Sequence, residues 1–336
     1  MKLLFSTTVV FLISIFVTIP GLAQKKSGNS EVIPPKDYVP PIWQASPPLQ
    51  ALLTSAIDQT LASYPAGSFP RTDIAATLID LSGSGTPTWA GVRADERIYP
   101  ASVVKMLYMT ALERQLEDGK VTDSKELERG LHDMIVDSSN EATQYILDVI
   151  TNTSSGAELP AVDFAKWQNK RNRVNRFFSA MGYTNINANQ KTFCEDAYGI
   201  EQQSRNYQGQ NRNMLTTNAV ARLLTEIALG RLNTAERSRQ MMDLMHRDPF
   251  SPDKGDPDDQ SHGFTGRLLI DRKMTDAKLW SKAGWTSTAR HDAAYIETAD
   301  GLKFVLVIFT EHHANEKGAI PAIAGRVIDG LRKLRT

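Results

Sequence analysis

The sequence predicts an α+β fold: an antiparallel sheet built from both termini, flanked by helices, with a mainly helical lobe inserted between them. Three observations carry this. Strand-like apolar runs cluster near the two ends, at 73–81 and 88–93 and again at 278–284, 292–297 and 303–310. The chain between them is divided into segments whose apolar residues recur at helical spacing. One of these, 103–116, is apolar on nearly every side, which places it inside a protein rather than on its surface.

Taken in order, residues 1–23 read as a secretory signal peptide. Lys2 supplies the charge, an apolar run extends from Leu3 through Ile19, and Gly21-Leu22-Ala23 offers small residues for cleavage. A membrane anchor is the alternative, but the run is short and ends at Pro20-Gly21 without a basic stop. A secreted or periplasmic protein with no stable membrane anchor after cleavage is expected. Residues 24–48 carry Pro34, Pro35, Pro40, Pro41, Pro47 and Pro48 and read as an extended linker. A single two-lobed domain follows over 49–336, its sheet lobe about 49–98 and 276–336 and its helical lobe about 99–275.

Within that domain a helix is expected over 49–63, with Leu52, Leu53, Ile57 and Leu61 on one stripe. Gly83-Ser84-Gly85 turns the first strand into the second. Helices are expected over 126–136 and from 141, separated by a break at Asp137-Ser138-Ser139-Asn140. Residues 164–181 are helical and basic, and the run from Lys166 to Arg176 reads as a solvated face. Residues 182–213 are irregular. Thr216-Thr217 caps a helix to 229, 248–263 is a Pro/Asp/Gly loop, and a last helix spans 320–334. A cleft between the lobes is the default ligand site.

Lys+Arg and Asp+Glu both number 38, and the basic residues are scattered rather than striped, so a nucleic-acid partner is not expected. The single cysteine, Cys194, excludes an intramolecular disulfide, so burial must hold the core together. A monomer is expected.

The chemistry begins at Ser102 and Lys105, at the front of the apolar helix. Pro100 suits the first turn, where its missing N–H costs nothing. At i, i+3 the two polar side chains share a face. Apolar surroundings disfavour the ammonium form of a lysine, and a neutral amine beside a hydroxyl is a general base beside a nucleophile. The spacing alone is weak, since Ser251-Pro252-Asp253-Lys254 repeats it in a loop.

Three pieces stand in order along the chain: Ser102-x-x-Lys105, Ser138-Ser139-Asn140 and Lys282-Ala283-Gly284. With their flanks, Ala94-Asp95-Glu96-Arg97, Ser139-Asn140-Glu141-Ala142-Thr143 and Thr216-Thr217, they resemble the penicillin-recognising serine hydrolases, most closely the class A β-lactamases. The resemblance runs from about Leu49 to Thr336 and implies a β-lactamase/transpeptidase-like fold.

It also implies roles. Ser102 would attack a strained amide carbonyl and form an acyl-enzyme, with Lys105 taking its proton. Ser138 would relay that proton to the leaving nitrogen. Asn140 would bind the substrate's side-chain amide, and Lys282 would set a positive potential for its carboxylate. The backbone N–H groups of Ser102 and Trp285 would form the oxyanion hole, and Gly284 would let substrate approach its strand. Glu201, fifteen residues before Thr216, would activate the deacylating water, with Glu195 as its rival. Ser138, Ser139 and Asn140 could instead be helix caps, Lys282 an edge-strand charge, and Glu201 an ordinary loop residue.

The chain departs from the family pattern in several places. Ser139 replaces an aspartate, and Ala283 replaces a hydroxyl residue for which Thr286 or Ser287 is the candidate substitute. The 36-residue gap from Ser102 to Ser138 is short, and 151–213 and 246–276 look rewritten. No metal or cofactor is expected: Glu311-His312-His313 with Glu316 fits no ligand spacing on a helix, and His291-Asp292 lacks the G-x-S-x-G elbow of another hydrolase class. The expected function is β-lactam amide hydrolysis on a small-molecule substrate. The alternatives are a D-alanyl-D-alanine carboxypeptidase or related cell-wall amidase or esterase acting on a cell-wall peptide, and a non-catalytic binding domain on the same scaffold.

Overall fold

A computed structural model describes residues 31–193, 195–253 and 255–335. The expected signal peptide, Cys194 and Lys254 lie outside the described residues. Among those residues, no helix is long and apolar enough to cross a membrane.

The sheet has seven strands: β1 (Gln44–Ala45), β2 (Ile74–Asp80), β3 (Thr88–Val92), β4 (His246–Arg247), β5 (Lys278–Trp285), β6 (Arg290–Glu297) and β7 (Lys303–Thr310). Their spatial order is β1-β3-β2-β7-β6-β5-β4. The N-terminal hairpin therefore joins the C-terminal meander through β2 and β7, with Thr77 opposite Val307. Pairing is antiparallel as expected except at one edge, where β1 runs parallel to β3. That pair makes the sheet mixed.

Alternation along the strands explains why they read as continuous apolar runs. Ala75, Ile79, Val305, Val307 and Phe309 point to one core, while Ala76, Leu78, Phe304, Leu306 and Ile308 point to another. Both faces are covered, so neither set needs to be polar. Helices α1 (Pro47–Leu61), α10 (Phe264–Asp271) and α11 (Ala319–Arg335) close one face. The helical lobe closes the other with α2 (Lys105–Glu117), α3 (Lys125–Ile135), α4 (Asn140–Thr151), α6 (Arg173–Ala180), α8 (Thr217–Ala228) and α9 (Ala235–Met245). Thr216 caps α8 through Ala219 N–H, and the Thr217 hydroxyl lies 2.9 Å from that of Thr77 on the sheet.

Three expectations need correction. The segment expected as a linker is structural from Glu31 onward. Val32 is buried, Tyr38 Oη donates to Glu226, Glu31 pairs with Arg173 and Arg176, and Gln44–Ala45 joins the sheet. Pro47 and Pro48 open α1 behind the Ser46 cap, where proline needs no N–H partner. The basic helix is two helices, α5 (Ala161–Arg171) and α6, divided at Asn172. Its arginines are not a solvated face: Arg171 is 0% exposed and Arg173 7%, because acidic partners arrive from distant segments. Helices α9 and α10 and the short strands β1 and β4 were not foreseen, and α7 (Ile200–Arg205) interrupts the irregular stretch.

Candidate active site

Ser102 lies in a 3-10 turn, Ala101–Val104, that leads directly into α2. Ala101 holds φ +46, an unfavourable conformation for a residue with a Cβ. The turn is pressed against β5: a Cβ built on Gly284 would lie 2.8 Å from Ser102 N and 2.9 Å from the Pro100 carbonyl oxygen. Gly284 was expected to admit substrate. Its vacant side-chain space is filled instead by the backbone of the serine turn. From the other side, His291 on β6, paired with Gly284, donates from Nε2 to the Tyr99 carbonyl at 2.9 Å.

Lys105 and Lys282 are each 0% exposed, and both reach one hydroxyl. Lys105 Nζ is 3.2 Å and Lys282 Nζ 2.9 Å from Ser138 Oγ. Lys105 Nζ also donates to the Ser138 carbonyl at 2.5 Å and to Asn140 Oδ1 at 3.0 Å. Ser138 has φ +57 at the break before α4. Its hydroxyl proton can pass to either amine and be replaced from the other. Burial first, then the charges of Lys105 and Arg247, hold the Lys282 amine well below the usual lysine range, with Asp292 opposing.

The three neighbouring polar residues of that break divide their work. Ser138 faces the lysines. Ser139 is the helix cap, its Oγ accepting from Ala142 N–H at 3.1 Å. Asn140, expected to meet the substrate amide, presents its Oδ1 to Lys105 in this structure.

On β5, Ala283 N–H points away from β6 and donates to Gln260 Oε1 at 3.1 Å. Strand alternation gives Trp285 N–H the same direction, into the open edge where β4, paired only at Leu279 and Trp280, no longer covers β5. The backbone N of Ser102, the other amide expected in an oxyanion hole, packs against Gly284, the residue just before Trp285. Thr286 lies in the turn after β5: its Oγ1 accepts from the N–H groups of Thr288 (3.2 Å) and Ala289 (3.0 Å), which leaves its own proton to donate.

Glu201 requires the largest correction. It sits on α7, 1% exposed, with its carboxylate bridged by Arg171 through two 2.8 Å hydrogen bonds. Ser155 donates to it at 2.9 Å and Lys191 Nζ lies at 3.4 Å. Burial pushes this carboxyl up, but the Arg171 hydrogen bonds and the charges of Arg171 and Lys191 outweigh it, leaving it below the usual range. The structure does not bring Glu201 to Ser102 or Lys105. A carboxylate so paired is a structural anchor, and a poor base. Glu195 is exposed.

Gln260 was missed. It lies in a loop that composition marks only as a connector, yet it contacts Lys282 at 2.7 Å. No motif pointed to it.

His291 and Asp292 form no triad with a serine. His291 Nδ1 accepts from Thr310 N–H at 3.2 Å, which fixes the neutral tautomer, and Asp292 Oδ2 accepts from Thr265 N–H. Burial lowers the His291 pKa from 6.5 to about 4. The unfolded chain takes up this proton near pH 6.5 while the folded one does not until about 4. Stability from this group is therefore complete above 6.5 and is lost as the pH falls to 4, by about 3 kcal/mol. Urea unfolding at several pH values should show this loss in the wild type and a shallower one in His291→Gln; parallel curves would contradict it.

Among the described residues, His132, Asp133 and Asp137 bring potential metal-ligand atoms within 4.8 Å of one another. The group is largely exposed, and Arg129 already lies 3.6 Å from Asp133. His313, in the other histidine cluster, stacks on Phe69 and faces Asp73 at 3.1 Å.

No curated protein matches the chain in sequence. Solved structures do match in shape. A β-lactamase from Sphaerobacter thermophilus is 18% identical, covering 84% of this chain and 98% of its own, with TM-score 0.57. PBP-A is 15% identical, covering 88% and 100%, with TM-score 0.59. A class A β-lactamase from Bacteroides cellulosilyticus is 14% identical, covering 84% and 98%, with TM-score 0.57. These establish the fold. The sequence model of the Beta-lactamase enzyme family matches residues 53–329, from α1 through all three motifs into α11. By that match this chain, a serine hydrolase, belongs to the β-lactamase enzyme family.

Proposed function

We propose that Ser102 is acylated by amides that carry a nearby carboxylate, with β-lactams as the substrate class. The observation that carries this is the placement of Ser138 Oγ between the amines of Lys105 and Lys282. Ser102 Oγ attacks the carbonyl carbon and its proton passes to Lys105, which must be unprotonated at that moment. The oxyanion is received by the N–H groups of Ser102 and Trp285. As the C–N bond breaks, Ser138 gives its proton to the leaving nitrogen and recovers one from the lysines. Water then cleaves the ester and releases the acid. Lys282 and Arg247 supply the positive field that attracts the substrate carboxylate. A PBP-A variant, 17% identical with TM-score 0.57, is known as an acyl-enzyme complex with penicillin G.

A second reading, a D-alanyl-D-alanine carboxypeptidase type, is favoured by the engagement of Glu201 with Arg171. Without that glutamate as base, the acyl-ester should outlive acylation. Labelled penicillin G separates the two readings. Label that persists on the intact protein and vanishes in Ser102→Ala is the result expected of the second reading. Fast hydrolysis without lasting label would establish a true lactamase, and no reaction at all would leave a binding domain. Export to the periplasm or medium, as a monomer, completes the proposal; N-terminal sequencing of the mature protein and its elution volume test those two points.

A further inference from the structure

One loop side chain touches both walls of the cleft. Gln260, 6% exposed, accepts through Oε1 from Lys282 Nζ (2.7 Å) and Ala283 N–H (3.1 Å) on β5. Through Nε2 it donates to the carbonyls of Ile135 (3.2 Å) and Val136 (2.8 Å), where α3 ends just before Ser138. An amide offers two lone pairs on one atom and two donors on the other without any charge, and here all four are used. The helical lobe contributes Ser138 to the site and the sheet contributes Lys282. Gln260 belongs to neither segment and hydrogen-bonds to both.

We propose that Gln260 is a positioning residue that sets Lys282 Nζ against Ser138 Oγ and, by being neutral, leaves the positive charge of the cleft available to a substrate carboxylate. The inference rests on the acylation chemistry proposed above. The charged groups facing Lys282 are Lys105 from α2, Arg247 from β4 and Asp292 from β6. Asp292 is held by Thr265 N–H. The acid next to Gln260, Asp259, is turned into its own loop, accepting from Ser261 N–H, His262 N–H and His262 Nδ1 at 2.8–3.0 Å. No carboxylate among the described residues hydrogen-bonds to Lys282. A glutamate at 260 would place one there and would also turn an oxygen toward the Ile135 and Val136 carbonyls. A methionine would keep the length and remove every hydrogen bond.

The test uses the full mature protein and two probes, penicillin G and its uncharged methyl ester, with melting curves to establish that each variant is folded. Gln260→Met should slow acylation of Ser102 by both probes about tenfold or more, as lost positioning does. Gln260→Glu should further lower the preference for penicillin G over its ester by about tenfold. Proton titration of Lys282, followed by NMR of lysine-labelled protein, should move to higher pH in Gln260→Glu. An unchanged probe preference in Gln260→Glu, or wild-type acylation in Gln260→Met, would overturn the proposal. If even the wild type is not labelled by penicillin G, the acylation reading fails first. The Lys282 titration then decides alone, and an unmoved titration in Gln260→Glu sinks the positioning role.

Discussion

Replacing Gly284 by alanine is expected to slow acylation of Ser102 by about a hundredfold or more, the scale seen when an oxyanion donor or attack geometry is displaced. The new Cβ would fall 2.8 Å from Ser102 N, 2.9 Å from the Pro100 carbonyl oxygen and 3.0 Å from Val103 N. All three are backbone atoms, so none can swing aside as a side chain would. Either β5 or the serine turn must move, and with it one of the two amides proposed to receive the oxyanion. The turn has little freedom to absorb this, because the Tyr99 carbonyl is tied to His291 and Ala101 already sits at positive φ. Overpacking of this kind costs about 1–3 kcal/mol in stability, so the variant should still fold. Rapid-mixing kinetics with a fluorescent penicillin would measure the effect, and a wild-type rate would show that this contact does not set the oxyanion amides.

The second large effect is one of stability. Glu201→Gln should destabilise the protein by about 3–5 kcal/mol, because it leaves a buried guanidinium without its counter-charge. Arg171 is fully buried, stacked on Trp167 at 4.2 Å, and its remaining acidic partner, Asp148, is shared with Lys191. Denaturant unfolding at neutral pH measures the loss, and pairing the change with Arg171→Met should restore much of it. A catalytic base would behave otherwise: its amide variant would keep its stability and accumulate acyl-enzyme. The carboxyl titrates below its ordinary value in the folded state. Its contribution is therefore present above the unfolded pKa of about 4.5 and disappears as the pH falls through the lower folded value.

These two residues mark where the amino-acid sequence is informative and where it stops. The two-ended sheet was legible because strands covered on both faces are apolar throughout, and Ile74–Asp80 and Lys303–Thr310 show this plainly. The meeting of Lys105, Ser138 and Lys282 was legible because each belongs to a short motif with a local structural context. Glu201 was read on spacing alone. Its partners, Arg171 and Ser155, come from 30 and 46 positions away, and nothing local announces them. Gln260 was invisible for a related reason: its loop is rich in Pro, Asp and Gly, and the segments it joins lie 124 positions before it and 22 after it. Thr286 was read from its hydroxyl, and the acceptor role of that oxygen in the tight connection between β5 and β6 was not foreseen.

The chain before Ser46 has a consequence for the order in which the molecule assembles. Glu31 grips Arg173 across 142 positions, and Tyr38 reaches Glu226 across 188. During synthesis this leading segment emerges long before either anchor exists, so it must trail unfixed while most of the helical lobe forms. Contacts this remote close slowly, so the strap locks only after the chain through Glu226 has been made. Until it does, the edge of β3 stays open to pairing with another chain. The same residues that looked like a spacer thus serve as a latch between the helical lobe and the edge of the sheet.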